Sequence, residues 1–496
     1  MTERPIDARH EMKRGLWWMG GATVAMRVLD VGGSLLVLQF LSRSEVGLAA
    51  LAWSIAVVLE SFNGLGVGYV IVRQRDLTHA ELSGLFWFST LLGVAMVAVM
   101  AAMGPYLAVF YADWRLYPMM MVAAAKLIFV GAALVPLHML TRDLQFKVSG
   151  AVQTLATLGE ATTKVVLVVA GFGAWGLVIA NLARGVFLCL ALWRLAPFRP
   201  LLRAADASVR TAIRFGLRVS AAGIPYQLYR NMDNLLIGRV LGTSVLGIYQ
   251  TAFQLGMTPL EMILQLVNRV QFPIYSALRD KPAELAQAFN RSARTLLLFL
   301  GPVAALLCFA SADILSFIGG GKWLPAVPLI QVLVWASLLR GISQLFPQLY
   351  VATGHPKYAI VDSLLTGATL VAGFATALAL APAGRGAMWV AWVWLFSYPV
   401  PLLAHYVMVR RSAPITVRQF FSSMAKPALG IAGLALLLGL GSRLRATLGS
   451  PVLSLALLVA LALGGHALYL RYVLHLRLAD LLPRKTDGGI SAAAPR

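Results

Sequence analysis

The sequence predicts an all-α, polytopic membrane protein with about 14 transmembrane helices. Of its 496 residues, 59% are hydrophobic and only 12% are charged, whereas a soluble domain has about 25% charged residues. The mean hydropathy is +0.77. So few charges cannot cover the surface of a soluble chain of this length. The composition therefore excludes a soluble enzyme, a disordered chain and, with two cysteines inside apolar runs, a disulfide scaffold.

Fourteen apolar runs are long enough to cross a bilayer, which takes about 20 residues. The first run is too long for a signal-peptide core and is interpreted as a retained first helix. The predicted spans cover 16–42, 45–70, 82–104, 117–141, 148–171, 174–196, 216–240, 244–268, 293–319, 325–350, 358–381, 387–410, 427–447 and 451–475.

The basic residues between these spans predict the orientation. If the N-terminus is cytoplasmic, the inner segments hold 27 Lys and Arg and the outer segments hold six. Because inner loops of membrane proteins are enriched in Lys and Arg, both termini are expected in the cytoplasm. The same distribution explains most of the net charge of +22, so nucleic acid is not an expected partner.

A shift of 200 residues produces a weak internal match between the turns that join the first and second spans of two halves. The matching positions are Leu41, Ser44 and Gly47 with Leu241, Ser244 and Gly247. The alternative is chance similarity between Leu-rich helices. An even number of spans separates the copies, which predicts parallel repeats with a site between the halves. The amphipathic inner segment 197–215 is interpreted as the linker that joins them.

Charged residues deep inside the predicted spans are the main functional signal. Each costs roughly 2.5–3.5 kcal/mol on insertion scales, so most must face a polar cavity or one another. The deep bases are Arg27, Lys126, Lys164, Arg184, Arg230 and Arg340, and the deep acids are Asp30, Glu60, Glu160, Asp233, Glu261 and Asp362.

Some of these charges have a partner within reach on their own helix. Glu160 and Lys164 are four residues apart in the favoured order, and Arg27 stands three residues before Asp30. Structural ion pairs are the alternative to a functional role. Lys126, Arg184 and Arg340 have no local acid. The resulting positive excess favours an anionic substrate, because Arg matches phosphate and carboxylate oxygens.

Catalytic and nucleotide-binding motifs are absent from the sequence. It contains no G-x-x-x-x-G-K-[ST], H-E-x-x-H, G-x-S-x-G or C-x-x-C. Residues 171–176 match G-x-G-x-x-G, but they form a short turn between two membrane spans instead of part of a βαβ unit. His405 and His466 lie in apolar helices and are expected to be packing residues. No cofactor and no metal site is therefore expected.

Five segments together resemble the Wzx-type oligosaccharide flippases of bacterial polysaccharide biosynthesis, in their WzxC-like branch. These segments are 64–74, 140–147, 229–242, 272–282 and 321–331. The resemblance implies the fold of the multidrug/oligosaccharidyl-lipid/polysaccharide exporter superfamily, with two six-helix lobes in a V and two extra helices. The expected divisions are 1–15 (N-terminus), 16–196 (N-lobe), 197–215 (linker), 216–410 (C-lobe), 411–426 (loop), 427–475 (helices 13 and 14) and 476–496 (tail).

The same resemblance implies movement of undecaprenyl-pyrophosphate-linked oligosaccharide repeat units from the inner to the outer leaflet of the bacterial cytoplasmic membrane. It carries Arg230, Asn231, Asp233 and Asn234 over as cavity residues. The implied partners are that substrate, membrane lipids, and a polysaccharide polymerase with its co-polymerase. We expect substrate binding by Arg27, Lys126, Lys164, Arg184, Arg230, Asn231, Asn234 and Arg340, and ion coupling by Asp30, Glu60 and Asp233.

Two other functions stay open on the sequence. A cation-coupled multidrug exporter has the same fold, but its cationic drugs would need an acidic cavity. A membrane enzyme acting on lipid-linked sugars would need a sizeable catalytic loop, and every predicted outer loop is short. We therefore expect a transporter that is not an enzyme.

Overall fold

A computed structural model shows the protein to be helical, as predicted. It describes residues 32–64, 66–74, 76–196, 198–202, 210, 213–214, 224–409, 416–444 and 449–473. Within these ranges the chain forms α-helices and one 3₁₀ helix, Gly320–Ala326, and no strand. The all-α fold class predicted from the sequence is confirmed.

We call the first six helices the N-lobe, the next ten the C-lobe and the last two the terminal pair. The N-lobe contains α1 (Arg43–Asn63), α2 (Val67–Arg73), α3 (His79–Phe110), α4 (Leu116–Arg142), α5 (Phe146–Val169) and α6 (Ala174–Leu195). The C-lobe contains α7 (Ile224–Arg230), α8 (Met232–Val240), α9 (Gly242–Gly256), α10 (Thr258–Ala277), α11 (Pro282–Gly319), α12 (Val327–Ser343), α13 (Leu345–Ala352), α14 (Pro356–Leu380), α15 (Gly386–Phe396) and α16 (Pro399–Val409). The terminal pair is α17 (Val417–Arg443) and α18 (Pro451–Tyr472).

Eleven helical stretches among the described residues are long and apolar enough to cross a membrane. Most of the predicted span 16–42 and the start of 216–240 lie outside the described residues, so the count of 14 stays a prediction. Residues 32–37 at the end of the first predicted span are helical.

Several predicted spans are interrupted. The seventh divides into α7 and α8 at Asn231, and the eighth into α9 and α10 at Met257. Pro259 occupies the first turn of α10, where its missing N–H needs no helical partner. Because a break frees backbone and turns side chains, interrupted helices are typical of cavity walls in transporters.

Close helix packing holds each lobe together. In the N-lobe, Gly131 of α4 lies against the backbone of Ser89 on α3, whose hydroxyl donates to the Gly131 carbonyl at 2.9 Å. In the C-lobe, α11 packs against α12 and against both terminal helices. Ile431 of α17 fills the space over Gly301 of α11. The terminal pair is therefore anchored on the C-lobe.

The two turns of the predicted repeat meet each other between the lobes. Ser44 and Thr243 share a hydrogen bond of 2.8 Å between their hydroxyls. A Cβ added to Gly47 would collide with the carbonyl of Thr243, and one added to Gly247 would collide with the carbonyl of Arg43. Helices α1 and α9 thus cross backbone to backbone. This reciprocal contact is consistent with a pseudo-twofold axis that relates the halves.

Candidate functional site

A cavity of about 340 Å³ with many polar lining residues lies between the two lobes. Helices α1, α4, α5 and α6 form one side, and helices α7 to α10 form the other. The cavity extends from Leu41, close to the Gly47–Gly247 crossing, to the exposed Gln265. Its size and polar lining make it the candidate site.

The N-lobe wall consists of Lys126, Glu160, Lys164, Asn181 and Arg184. The Arg184 guanidinium lies 3.2 Å from the Glu160 carboxylate, and the Lys164 ammonium donates to the Ser34 hydroxyl at 3.0 Å. Lys126 pairs with Glu60, which lies just behind the wall, at 3.0 Å. The wall therefore presents bases whose orientation is fixed by neighbouring helices.

Helix periodicity explains why these side chains share one wall. Asn181 and Arg184 are three residues apart on α6, and Glu160 and Lys164 are four apart on α5, so each pair projects from one face. Gly185 lets α6 approach α4, because a Cβ there would lie 3.0 Å from Cγ of Lys126. A larger residue at this position would push two of the bases apart.

The C-lobe wall carries mainly side-chain amides, which are Asn231, Asn234, Gln250, Gln254 and Gln265. Asn234 donates to the Ser54 hydroxyl of α1 at 3.0 Å and so links the two walls. Within the described residues, the oxygens Asn234 Oδ1 and Gln250 Oε1 are buried without a hydrogen-bond partner. Such oxygens favour a ligand that brings hydroxyl donors. Phe253 and the half-exposed Trp53 add aromatic faces to the cavity.

Glu261 joins two arginines at the edge of the C-lobe wall. One of its oxygens lies 2.7 Å from Arg230, which lines the cavity, and the other lies 2.6 Å from Arg340. Arg340 is 4% exposed and lies behind Glu261, over the ring of Trp394. The predicted substrate contact of Arg340 is therefore not direct in this conformation, and the residue acts through Glu261.

Asp233, a predicted ion-coupling residue, lines the cavity but is only 1% exposed. The hydroxyl of Tyr249 donates to its carboxylate at 2.7 Å and the indole N–H of Trp394 at 3.2 Å. The backbone N–H of Asn234 adds a third hydrogen bond at 2.8 Å. Three neutral donors thus hold this carboxylate.

The structure brings together most residues predicted for the site. Seven line the cavity, namely Lys126, Lys164, Arg184, Arg230, Asn231, Asp233 and Asn234. Glu60 lies behind the N-lobe wall and Arg340 behind the C-lobe wall, while Arg27 and Asp30 lie outside the described residues.

Sequence reasoning missed two features of the site. The three bases without a local acid, Lys126, Arg184 and Arg340, each have an acid partner on another helix. The amides Gln250 and Gln254 were also missed, although their spacing of four residues in an apolar helix indicates that they share one polar face.

A group of interlobe hydrogen bonds, which we call the seal, closes the cavity at the end near Leu41. The Arg43 guanidinium donates to the Lys322 carbonyl at 2.8 Å, and Lys322 Nζ donates to the carbonyl of Gln39 at 2.6 Å. The indole of Trp323 donates to the Leu38 carbonyl at 2.9 Å. Trp323 is fully buried in this seal.

The profile of a family described as "Polysaccharide biosynthesis protein" matches residues 36–328 of the chain. This match covers α1 to α11 and both cavity walls. The chain belongs to this polysaccharide biosynthesis protein family. The resemblance of the sequence segments to Wzx-type flippases is thereby confirmed at the level of the family.

One relative within this similarity is the lipopolysaccharide biosynthesis protein WzxC of Escherichia coli (strain K12). It is 22% identical over 431 residues, which are 85% of this chain and 86% of the relative. This chain and WzxC are therefore similar along nearly their whole length.

Two solved structures share the fold. The lipid II flippase MurJ in an inward closed conformation has a TM-score of 0.74 at 12% identity and covers 92% of this chain and 99% of its own. An inward-facing multidrug resistance MATE transporter of the MOP superfamily has a TM-score of 0.62 at 14% identity, over 79% of this chain and 98% of its own. The chain therefore has the same fold as these two proteins.

Proposed function

We propose that the chain moves undecaprenyl-pyrophosphate-linked oligosaccharide repeat units from the inner to the outer leaflet of the bacterial cytoplasmic membrane. The product would supply synthesis of exopolysaccharide, capsule or O-antigen. The proposal rests on the cavity between the lobes, which has bases on one wall and amides on the other. A relative named for lipopolysaccharide biosynthesis and a lipid II flippase with the same fold support it.

The division of the cavity matches the two parts of such a substrate. Arg and Lys on the N-lobe wall suit the oxygens of a pyrophosphate. Side-chain amides and aromatic rings on the C-lobe wall suit the hydroxyls and apolar faces of sugars, because amides both donate and accept hydrogen bonds. The polyprenyl tail would stay in the lipid at the gap between the lobes.

Transport would proceed by alternating access of the two lobes. The orientation predicted from the basic loops puts the seal on the outer side, so this conformation is closed outwards. Opening would break the hydrogen bonds of Arg43, Lys322 and Trp323 and separate Gly47 from Gly247. An anionic headgroup moving outwards gains about 2.3 kcal/mol per charge per 100 mV when the inside is negative.

A cation-coupled multidrug exporter of the same fold is the second candidate. The pairing of Glu160 and Glu261 with arginines speaks against it, because two of the three acids that line the cavity among the described residues are already neutralised. The third, Asp233, is only 1% exposed. A catalyst acting on lipid-linked sugars would change the mass of its substrate. Mass spectrometry of lipid-linked oligosaccharide before and after incubation with the purified chain separates that alternative, since a flippase changes the leaflet alone.

The deciding experiment is charge reversal on the N-lobe wall. Arg184→Glu should lower the rate of flipping in proteoliposomes by at least about tenfold, since a hydrogen bond between charged groups is lost and repulsion is gained. Flipping is measured with lipid-linked oligosaccharide whose sugars become accessible to an external glycosidase. Arg385→Glu makes the same charge change at an exposed turn between α14 and α15 and should leave the rate unchanged. Full flipping by a folded Arg184→Glu protein would refute the proposal.

A further inference from the structure

His405 and Asp362 form a buried pair inside the C-lobe, outside the lining of the cavity. Nε2 of His405 on α16 lies 3.1 Å from a carboxylate oxygen of Asp362 on α14. Its Nδ1 lies 3.0 Å from the hydroxyl of Tyr350 on α13. The imidazole is 0% exposed and stacks on Phe346, with ring centroids 4.4 Å apart. The expectation that His405 only fills space is incomplete.

The hydrogen bonds of the pair define its charge. A neutral imidazole has one donor and one acceptor nitrogen. Nε2 lies 3.0 Å from the Ser343 hydroxyl as well as 3.1 Å from Asp362. With the proton on Nε2, His405 shares it between Ser343 and Asp362 and accepts from Tyr350, which satisfies both nitrogens. The Thr366 hydroxyl also donates to Asp362, at 3.2 Å. In this arrangement Asp362 keeps one buried negative charge.

Among the described residues, no Lys or Arg forms an ion pair with Asp362. Tyr350 on α13 and Tyr229 on α7 interact electrostatically with Asp362. Tyr358 on α14 contacts Tyr350, and Arg340 on α12 interacts with Tyr229. Arg340 is paired with Glu261, and α17 adds the uncharged Phe420 against Phe346. An unbalanced buried charge costs several kcal/mol, so the pair attracts one further cation.

The pair lies near one end of α14, so the cation has a short path from solvent to the pair. Asp362 is six residues from the start of α14, which is about 9 Å along the axis. The exposed turn at His355 precedes this helix, and the His355 ring stacks on Tyr358, which contacts Tyr350 edge-on. Because hydrogen-bonded side chains already fill the space around the imidazole, a proton fits there and a hydrated metal ion does not.

We propose that the His405–Asp362 pair is a proton-binding site of the C-lobe. The proton enters from the side of the His355 turn, binds to the shared pair and cancels its negative charge; no other bond is made or broken. Loss of that charge weakens the hold of α14 on α16 and so links proton binding to the conformation of the C-lobe. The link to substrate movement rests on the proposed function, whereas proton binding itself does not.

Proton uptake by the purified chain tests the site directly. The chain in nanodiscs is acidified from about pH 8 to about pH 5, and infrared difference spectra record carboxyl protonation. Asp362→Asn should take up about one proton fewer per chain and lack the carbonyl band of a buried protonated carboxyl. Uptake and band equal to those of the wild type would overturn the proposal. This measurement works even for a chain that flips nothing, so failure of the site is distinguishable from failure of the proposed function.

Asp113→Asn is the matched control. Hydrogen bonds from the Arg115 side chain hold the pKa of the Asp113 carboxyl below its ordinary value. Asp113 lies in the turn between α3 and α4, outside the membrane-spanning helices, and should stay ionised throughout the titration. The control variant is therefore expected to match the wild type in proton count and in the carboxyl band.

A second variant keeps the test valid if Asp362→Asn does not fold. Thr366→Val preserves shape but removes a donor to the carboxylate, which should raise the midpoint of proton uptake by about one pH unit. Thr376→Val removes an exposed hydroxyl from the same helix, bonded to the Ala372 carbonyl, and should leave the midpoint unchanged. An unchanged midpoint in Thr366→Val would count against the site.

Discussion

The two walls of the cavity come from different lobes and carry different chemistry. The N-lobe wall presents Lys126, Lys164 and Arg184, each fixed by a polar partner on another helix. The C-lobe wall presents amides. Arg230, the one base that lines it in the part of the chain that the structure describes, shares Glu261 with the buried Arg340. The comparison teaches that the meeting of two lobes fixes where a cavity forms, while the side chains of each lobe decide what it presents to a ligand.

Interruption of the helices accounts for part of this difference. Helices α4, α5 and α6 of the N-lobe wall run through without a break, so their bases follow helical spacing. The C-lobe wall is built from α7 to α10, which break at Asn231 and Met257. A break allows neighbouring residues such as Asn231 and Asn234 to point into one space. The C-lobe wall is therefore the one whose shape depends on local backbone geometry.

The largest expected effect comes from the point where the lobes touch. Gly47→Ala places a Cβ on the backbone carbonyl of Thr243, which cannot move aside as a side chain could. We expect flipping to fall below detection, because the seal between the lobes can no longer form. Disulfide crosslinking of Ser44→Cys with Thr243→Cys should fall in parallel, since their hydroxyls lie 2.8 Å apart in the closed state.

Gly433→Ala is the control for that substitution. Gly433 lies in α17 and a Cβ there meets nothing within 4 Å. The variant should flip and crosslink like the wild type. Normal flipping by Gly47→Ala would show that the two walls do not need this crossing in order to close.

A smaller effect, on ligand binding, should show which part of the substrate each wall holds. Gln250→Ala should weaken binding of lipid-linked oligosaccharide by about 2–10-fold, the value of one or two hydrogen bonds, and leave binding of polyprenyl pyrophosphate unchanged. Arg184→Gln should weaken both ligands. Calorimetric titration of the purified chain with the two lipids measures this. An equal loss of both ligands in Gln250→Ala would remove the distinction between the walls.

The smallest effect on the flipping rate is expected from a substitution behind the N-lobe wall. Glu60→Gln removes the charge that pairs with Lys126 at 3.0 Å but keeps a polar partner there. Since the Glu60 side chain is one-third exposed, water screens the pair, and the flipping rate should change by no more than about threefold. A measurement of flipping at several pH values also tests Glu60 as a coupling residue. Loss of all pH dependence in Glu60→Gln would move the proton site from His405–Asp362 to the N-lobe.

Much of the candidate site could be predicted from the sequence. Deep charges are costly in a membrane, so Lys126, Lys164 and Arg184 had to share a polar space, and they do line one cavity. Arg340 was predicted to line the cavity for the same reason, but it lies behind Glu261. Which acid a buried base pairs with depends on which helices are neighbours. His405 was missed for the same reason, since its acid is 43 residues away on another helix.

Hydropathy and the placement of basic residues determined on their own that this is a polytopic helical membrane protein, because each span satisfies its backbone internally and must be apolar along its length. They also determined which buried charges needed an explanation. The tertiary structure alone decided how those charges pair, where the helices break and that Gly47 meets Gly247. These depend on contacts between helices distant in sequence, and local spacing carries no information about which helix becomes a neighbour.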